Sequence, residues 1–231
     1  MKQIILVIAA HPDDEVLGCG GTIAKHAKAG DEVHVVILAE GLTSRKNERD
    51  RTFYSNQLSK LALAAEKANK VLGVSSLKLY DLPDNRMDSI DRLDVTKLIE
   101  QIVDKHKPHI IYSHHIGDVN IDHRCIHQAV VTACRPIPFK HKVNELLFFE
   151  VPSSTEWQPS GSAQPFVPNW YVDISETLDL KLEALKEYES EMRDWPHPRS
   201  ILAVDYLAKW RGASTGVNAA EAFILGRKLI S

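Results

Sequence analysis

The sequence lacks the marks of several protein classes. Its three cysteines (Cys19, Cys125 and Cys134) form no C-x-x-C pair, and their odd number argues against a disulfide framework. The apolar run at residues 4–10 stops at a histidine, far short of the ~20 residues that a membrane-spanning helix needs. No signal-peptide cleavage site follows it. We therefore expect a cytoplasmic protein that does not insert into a membrane.

The sequence also lacks an excess of positive charge. Its formal net charge is −3 and its pI is near 6.4, so composition gives no argument for binding nucleic acid or anionic membranes. The 231 residues, of which 44% are hydrophobic and 26% charged, are enough for one large core. We find no repeats and no low-complexity segments. The sequence leaves open whether the chain forms a homo-oligomer.

Short apolar runs that suit buried strands alternate with segments of helical periodicity. Because strand, helix and strand follow one another in under forty residues, the pattern indicates βαβ units and a parallel sheet. We predict an α/β, Rossmann-like fold with a mostly parallel sheet and helices on both faces. The predicted strands are residues 4–10, 32–39, 76–82, 109–115 and 144–151, and the predicted helices are residues 16–29, 58–72, 91–106 and 122–133.

The composition changes after about residue 151. Residues 152–166 are rich in Pro, Ser and Gly, which is typical of a long surface loop. Residues 169–175 are predicted as the last strand, followed by helices at 178–192 and 201–210. We interpret residues 151–231 as a loop-rich extension of one domain that spans residues 1–231.

Polar side chains cluster where predicted strands end. Since ligands of open parallel sheets bind outside the carboxyl ends of the strands, we expect these side chains to meet at one edge. The clusters are His11, Asp13, Asp14 and Glu15 after the first strand, Glu40, Thr43, Ser44 and Arg45 after the second, and His114, His115, Asp118, Asn120, Asp122 and His123 after the fourth.

The first and last clusters contain the residue types of a metal site. Imidazole nitrogen and carboxylate oxygen suit zinc or a similar divalent ion, and a catalytic site keeps three protein ligands plus water. His11 and Asp14 are three residues apart across a tight turn, a usable spacing for one ion. His123, near the start of a helix, is the best candidate for the third ligand. Asp13 is then free to act as a general base.

These motifs resemble a known family. The segment "AHPDDE", followed by "LGCGGTIAKHAKAGDEVHVVILAEG" and by the distant "DVNIDH", is similar to the PIG-L/LmbE-like zinc-dependent N-deacetylases. The resemblance implies an enzyme that removes the acetyl group from a small N-acetylglucosamine-type sugar. It also implies His11, Asp14 and His123 as zinc ligands and Asp13 as the catalytic base.

One position departs from the family. Many members have a histidine three residues before the third ligand, where this chain has Asn120. Asparagine can donate a hydrogen bond to an oxyanion but cannot deliver a proton near neutral pH. Either Asp13 both takes the proton and returns it to the leaving amine, which we favour, or His114 or His115 supplies it.

Other polar and aromatic residues are candidates for binding substrate. Loops at the mouth of such a site carry specificity, and a tryptophan can stack on a sugar. The candidates are Arg45, His114, His115, Asp118, Trp157, His197 and Arg199. Glu15 has no assigned role beyond capping a helix or supporting the site.

Two other functions remain open at this point. Asp/His clusters also build the two-metal sites of phosphoesterases. One bound ion per chain would favour the deacetylase, and two would favour the phosphoesterase. A non-catalytic, metal-dependent sugar-binding module is the alternative from a different class. It has no need of an unligated base such as Asp13.

Overall fold

A computed structural model describes residues 2–230. It contains seven strands and six α-helices. In chain order these are β1 Ile4–Ala9, α1 Asp14–Lys28, β2 Glu32–Ala39, α2 Ser55–Val71, β3 Ser76–Leu82, α3 Arg92–His106, β4 Ile110–His114, α4 Ile121–Ala133, β5 Glu145–Phe149, β6 Trp170–Asp173, α5 Leu178–Glu187, α6 Ile201–Ala213 and β7 Ala220–Lys228.

All seven strands form one sheet, in the order β3-β2-β1-β4-β5-β7-β6. The strands from β3 to β5 pair in parallel. Strand β7 runs antiparallel to both of its neighbours, β5 and β6. A mostly parallel sheet with crossover helices confirms the predicted α/β fold.

Side chains of β1 point alternately to two apolar layers. Ile5 and Val7 pack into the layer that includes α1, α2 and α5, whereas Leu6 and Ile8 pack into the layer that includes α3 and α4. This alternation follows from the two-residue period of a strand. Because both faces of the sheet are covered, its central strands read as continuous apolar runs in the sequence.

Two boundaries in the C-terminal part differ from the prediction. The strand that includes Tyr171 is not the last one, since β7 follows it and lies between it and β5. The pattern of β7 is hidden because a buried charge, Glu221, interrupts its apolar residues. Helix α5 ends at Glu187 rather than Met192, because the chain leaves helical geometry at Tyr188, where ψ is 40°.

Helix α1 is broken at Cys19, whose φ and ψ are −148° and 26°. The carboxylate of Glu221 accepts the freed backbone N–H groups of Gly21 and Thr22, at 2.9 and 2.7 Å. Nζ of Lys181 donates to the freed carbonyl of Leu17 at 2.9 Å and to Glu221 at 2.6 Å. A buried ion pair from α5 and β7 therefore satisfies both sides of the break.

The glycines at this break permit close packing. A Cβ atom at Gly18 would overlap the ring of Phe149 on β5, and one at Gly21 would lie 2.7 Å from Ile174. Small residues there allow α1 to lie directly against the sheet.

Among residues 2–230, no helix has both the length and the apolar character needed to cross a membrane.

Candidate metal centre and active site

The crevice between β1 and β4 brings the predicted polar residues together. From β1 to β3 the strands follow one another toward one edge of the sheet, whereas β4 and β5 follow one another toward the other edge. Open α/β sheets bind ligands at such a switch point. His11, Asp13 and Asp14 follow β1, and Asn120 and His123 lie at the start of α4. All five line one cavity of about 180 Å³.

Three of these side chains have ligand atoms that converge. Nδ1 of His11 lies 3.2 Å from Oδ2 of Asp14, and Nε2 of His123 lies 3.1 Å from the same oxygen. One ligand atom from each of the three residues lies within 4.8 Å of the other two. This is the set that the sequence predicted from a local turn and a distant helix.

The surroundings of His123 fit a bound cation. Within residues 2–230, its buried Nε2, which faces the ligand set, makes no hydrogen bond of normal geometry, which is costly unless another group satisfies it. Burial lowers the pKa of His123, but the charges of Asp14 and Asp118 outweigh this and raise it to about 9. Two imidazoles and one carboxylate suit zinc or a similar divalent ion with one position left for water.

Asp122 holds His11 from the side opposite to Asp14. Its Oδ2 lies 3.0 Å from Nε2 of His11, and its two oxygens accept backbone N–H groups of Asn85 and Met87 at 2.7 and 2.9 Å. Burial alone would lower the pKa of His11, but Asp122 and Asp14 raise it well above its usual value. A carboxylate on the outer nitrogen fixes the orientation of a metal-binding imidazole.

A second group of possible ligands overlaps the first. His11, Asp84 and Asp122 also have atoms within 4.8 Å of one another, with Oδ1 of Asp84 3.3 Å from Nε2 of His11. This group shares His11 with the first set, and the oxygens of Asp122 already accept backbone N–H groups. We therefore interpret Asp84 and Asp122 as supports of His11 and not as ligands of a second ion.

Asp118 contacts the outer nitrogen of His123, as Asp122 does for His11. Its Oδ2 is 3.2 Å from Nδ1 of His123, and it accepts hydrogen bonds from the hydroxyls of Ser154 and Thr155. Burial raises the pKa of Asp118, but His123 and the two hydroxyls lower it to about 2. Asp118 is buried, so we assign it to orienting His123 rather than to touching substrate.

Asp13 lies next to the ligand set and contacts an arginine. Its Oδ2 accepts a hydrogen bond from Nη1 of Arg199 at 3.0 Å. Burial and the charge of Asp14 raise the pKa of Asp13 well above its usual range, and the charge of Arg199 opposes this rise. A buried carboxylate with a raised pKa is suited to accept a proton near neutral pH.

Glu15, unassigned from the sequence, is fully buried. Its Oε2 accepts the backbone N–H of Asp13 at 3.1 Å, and its Oε1 accepts hydrogen bonds from Tyr188 at 2.6 Å and Asn69 at 2.8 Å. Burial raises the pKa of Glu15 to about 7, although these hydrogen bonds lower it. Glu15 thus contacts the backbone of Asp13 without lining the cavity.

Asn120 caps α4 and borders the cavity. Its Oδ1 accepts the backbone N–H of Asp122 at 2.9 Å, and its Nδ2 donates to Oδ1 of Asn85 at 3.0 Å. The cap leaves the amide group at the cavity wall. One N–H of the amide is used by Asn85, and the second N–H of the same NH2 group can be offered to a substrate.

Two of the predicted substrate residues, Arg45 and Arg199, line the cavity. Both are paired with carboxylates, since Arg45 donates to both oxygens of Glu191 at 3.2 and 3.1 Å and Arg199 donates to Asp13. The wall of the cavity is therefore made of ion pairs as well as neutral polar groups such as Ser44.

The other predicted histidines and the tryptophan lie outside the lining of this cavity. His114 is buried, and its Nε2 accepts the N–H of Ala10 at 2.8 Å. Nε2 of His115 lies 2.9 Å from the carbonyl of Gln164. Trp157 is half exposed and meets the ring of His197 edge-on at 5.7 Å.

Several supporting residues were missed at the level of sequence. Asp84 and Glu191 line the cavity, and Tyr188 and Asn69 reach the site only through Glu15. Asp84 follows a predicted strand, a signal that could have drawn attention to it. The positions of Glu191, Tyr188 and Asn69 gave no such signal.

Comparisons with known proteins identify the family of the chain. The model of a family named PIG-L, described as GlcNAc-PI de-N-acetylase, matches residues 6–134. The match spans every residue from His11 to His123 that converges in the crevice.

Two relatives that are named deacetylases match most of the chain. The "Uncharacterized deacetylase YaiS" of Escherichia coli K12 is 30% identical over 82% of this chain and 92% of its own. The "Diacetylchitobiose deacetylase" of Thermococcus kodakarensis is 28% identical over 81% of this chain and 69% of its own.

A solved structure shares the fold. The 4-carboxy-2-hydroxymuconate hydratase GalB of Pseudomonas putida KT2440 superposes with a TM-score of 0.78 at 21% identity and covers 100% of this chain and 98% of its own. Since that protein is named a hydratase, the shared fold by itself does not determine the reaction.

Proposed function

The chain belongs to the PIG-L family, and from that premise we propose that it is a metal-dependent hydrolase that removes the N-acetyl group from an N-acetylglucosamine-type sugar or glycoconjugate. The observation that carries the proposal is the convergence of His11, Asp14 and His123 beside an unligated, buried Asp13. The related deacetylases support the reaction class.

We assign the ion to His11, Asp14 and His123, with zinc as the ion that the donor set favours. A divalent ion bound there supplies Lewis acidity toward water and the acyl oxygen. Asp122 and Asp118 hold the two imidazoles from outside, so that the ligand atoms keep their directions when substrate arrives.

Asp13 accepts a proton from the attacking water at its carboxylate and returns that proton to the nitrogen of the leaving amine. We assign both steps to Asp13 because neither His114 nor His115 lines the cavity and both already use Nε2 in other contacts. Asn120 donates from Nδ2 to the oxygen of the acyl group as negative charge develops on it. The balance is amide plus water to acetate plus amine.

The proposed substrate is a small N-acetylated sugar, bound without nucleic acid or membrane insertion, in the cytoplasm. Arg45 and Arg199 at the cavity wall are the proposed contacts to its hydroxyl groups. Trp157 and His197 are proposed as an outer contact, since an exposed ring beside a polar site can stack on a sugar.

The experiment is acetate release across a panel of N-acetylated sugars with zinc supplied, together with a count of bound zinc per chain. We expect release from at least one glucosamine-based substrate and one ion per chain. Two ions with hydrolysis of phosphate esters would favour the phosphoesterase. Tight sugar binding without release would favour the binding module. Hydration of an unsaturated acid would favour a reaction like that of GalB.

A further inference from the structure

Asp13 has an unusual backbone. Its φ is 112°, in the left-handed region that residues with a Cβ rarely occupy. A conformation of this kind is strained and persists only where surrounding contacts hold it. The residue on which the proposed chemistry depends therefore needs a support.

Glu15 provides that support through the main chain. Its Oε2 accepts the N–H of Asp13 at 3.1 Å, so the contact is made to the main chain of the strained residue itself. The side chain of Glu15 is itself held at its other oxygen by the hydroxyl of Tyr188 at 2.6 Å and the amide of Asn69 at 2.8 Å. All three supporting side chains are buried.

The two residues that hold Glu15 come from separate parts of the chain. Tyr188 directly follows α5, and Asn69 lies in the last turn of α2. Neither lines the cavity, so neither reaches the substrate or the ion. Their contact with the site runs through Glu15, whose Oε2 meets the N–H of Asp13.

We propose that Glu15, Tyr188 and Asn69 are positioning residues, which fix the backbone of Asp13 and thereby the place from which its carboxylate takes the proton. The kinetic test of this inference rests on the proposed function, whereas its NMR test does not. A misplacement of about 1 Å at a catalytic group can lower turnover by up to about 100-fold, whereas binding of substrate and ion uses other groups.

The test is Tyr188→Phe, which removes one buried hydroxyl and leaves the ring. The matched control is Tyr112→Phe, because Tyr112 is also buried and its hydroxyl lies 3.0 Å from Nε2 of His26. We expect kcat of the zinc-loaded Tyr188→Phe protein to fall about 10-fold, with KM and bound zinc unchanged. Tyr112→Phe should keep the wild-type kcat.

A second readout does not require activity. In two-dimensional amide NMR spectra, the Asp13 resonance should shift, and its hydrogen exchange should accelerate, in Tyr188→Phe but not in Tyr112→Phe. Asn69→Leu, which removes the other donor to the same oxygen, should show the same pattern. A wild-type Asp13 resonance and exchange rate in both variants would overturn the proposal, as would an unchanged kcat in an active wild-type background. An inactive wild type with the expected NMR changes would refute the deacetylase assignment instead.

Discussion

Arg199 should set the pH at which the enzyme becomes active. Its guanidinium lies 3.0 Å from Oδ2 of Asp13, and its charge opposes the burial and the Asp14 charge that raise the pKa of Asp13. In the proposed mechanism Asp13 must be ionised to accept a proton, so we expect activity to rise with pH through the pKa of Asp13. Replacing Arg199 with glutamine removes the opposing charge, and the pKa of Asp13 should rise further.

The geometry sets the size of this effect. Two unit charges about 4 Å apart interact by about 4 kcal/mol at an effective dielectric constant of 20. The side chain of Arg199 is 28% exposed and that of Asp13 is 3% exposed, so solvent reduces this value only in part. An arginine beside an aspartate typically changes its pKa by about 1–3 units. We expect Arg199→Gln to lower kcat/KM at a fixed pH on the acidic limb by about 10- to 100-fold.

The assay is the pH dependence of kcat/KM for acetate release. The acidic limb of the Arg199→Gln profile should move to higher pH by an amount that matches this loss of kcat/KM. Arg199→Lys should move the limb less. The control is Arg45→Gln, since Arg45 lines the same cavity but pairs with Glu191. The reasoning is refuted if the Arg199→Gln limb coincides with that of the wild type, or if Arg45→Gln shifts as far.

Three further predictions concern other parts of the structure. Gly18→Ala should lower the free energy of unfolding in urea by about 1–3 kcal/mol, because the new methyl group overlaps Phe149; an unchanged midpoint would contradict this. Lys181→Met should lower it by about 3–5 kcal/mol, since Glu221 stays buried without its partner, and Lys181→Met/Glu221→Met should recover part of the loss. Asn120→His should change the pH profile of kcat, and an unchanged profile would count against Asn120 lying near the acyl oxygen.

The central parts of the fold and of the site could be predicted because their signals are local. The apolar run of β1 and the three-residue spacing of His11 and Asp14 are both visible within a dozen residues. The rule that parallel strands present their carboxyl ends at one edge then brings His123 to the same place.

The supporting contacts could not be predicted because they join distant positions with no pattern between them. Arg199 and Asp13 are 186 residues apart, and Tyr188 and Glu15 are 173 apart. Burial of a polar residue depends on which helix face meets which loop, and periodicity alone does not specify this. The same limit hid β7, whose buried Glu221 is explained only by its contacts with α1 and Lys181.

The most direct test of the account is acetate release by the zinc-loaded Asp13→Asn protein beside the wild type, on a substrate that the wild type cleaves. The account predicts that the variant keeps one zinc ion, because His11, Asp14 and His123 are intact, and loses about 100- to 10,000-fold in kcat. Substantial turnover by a fully zinc-loaded Asp13→Asn protein would contradict it.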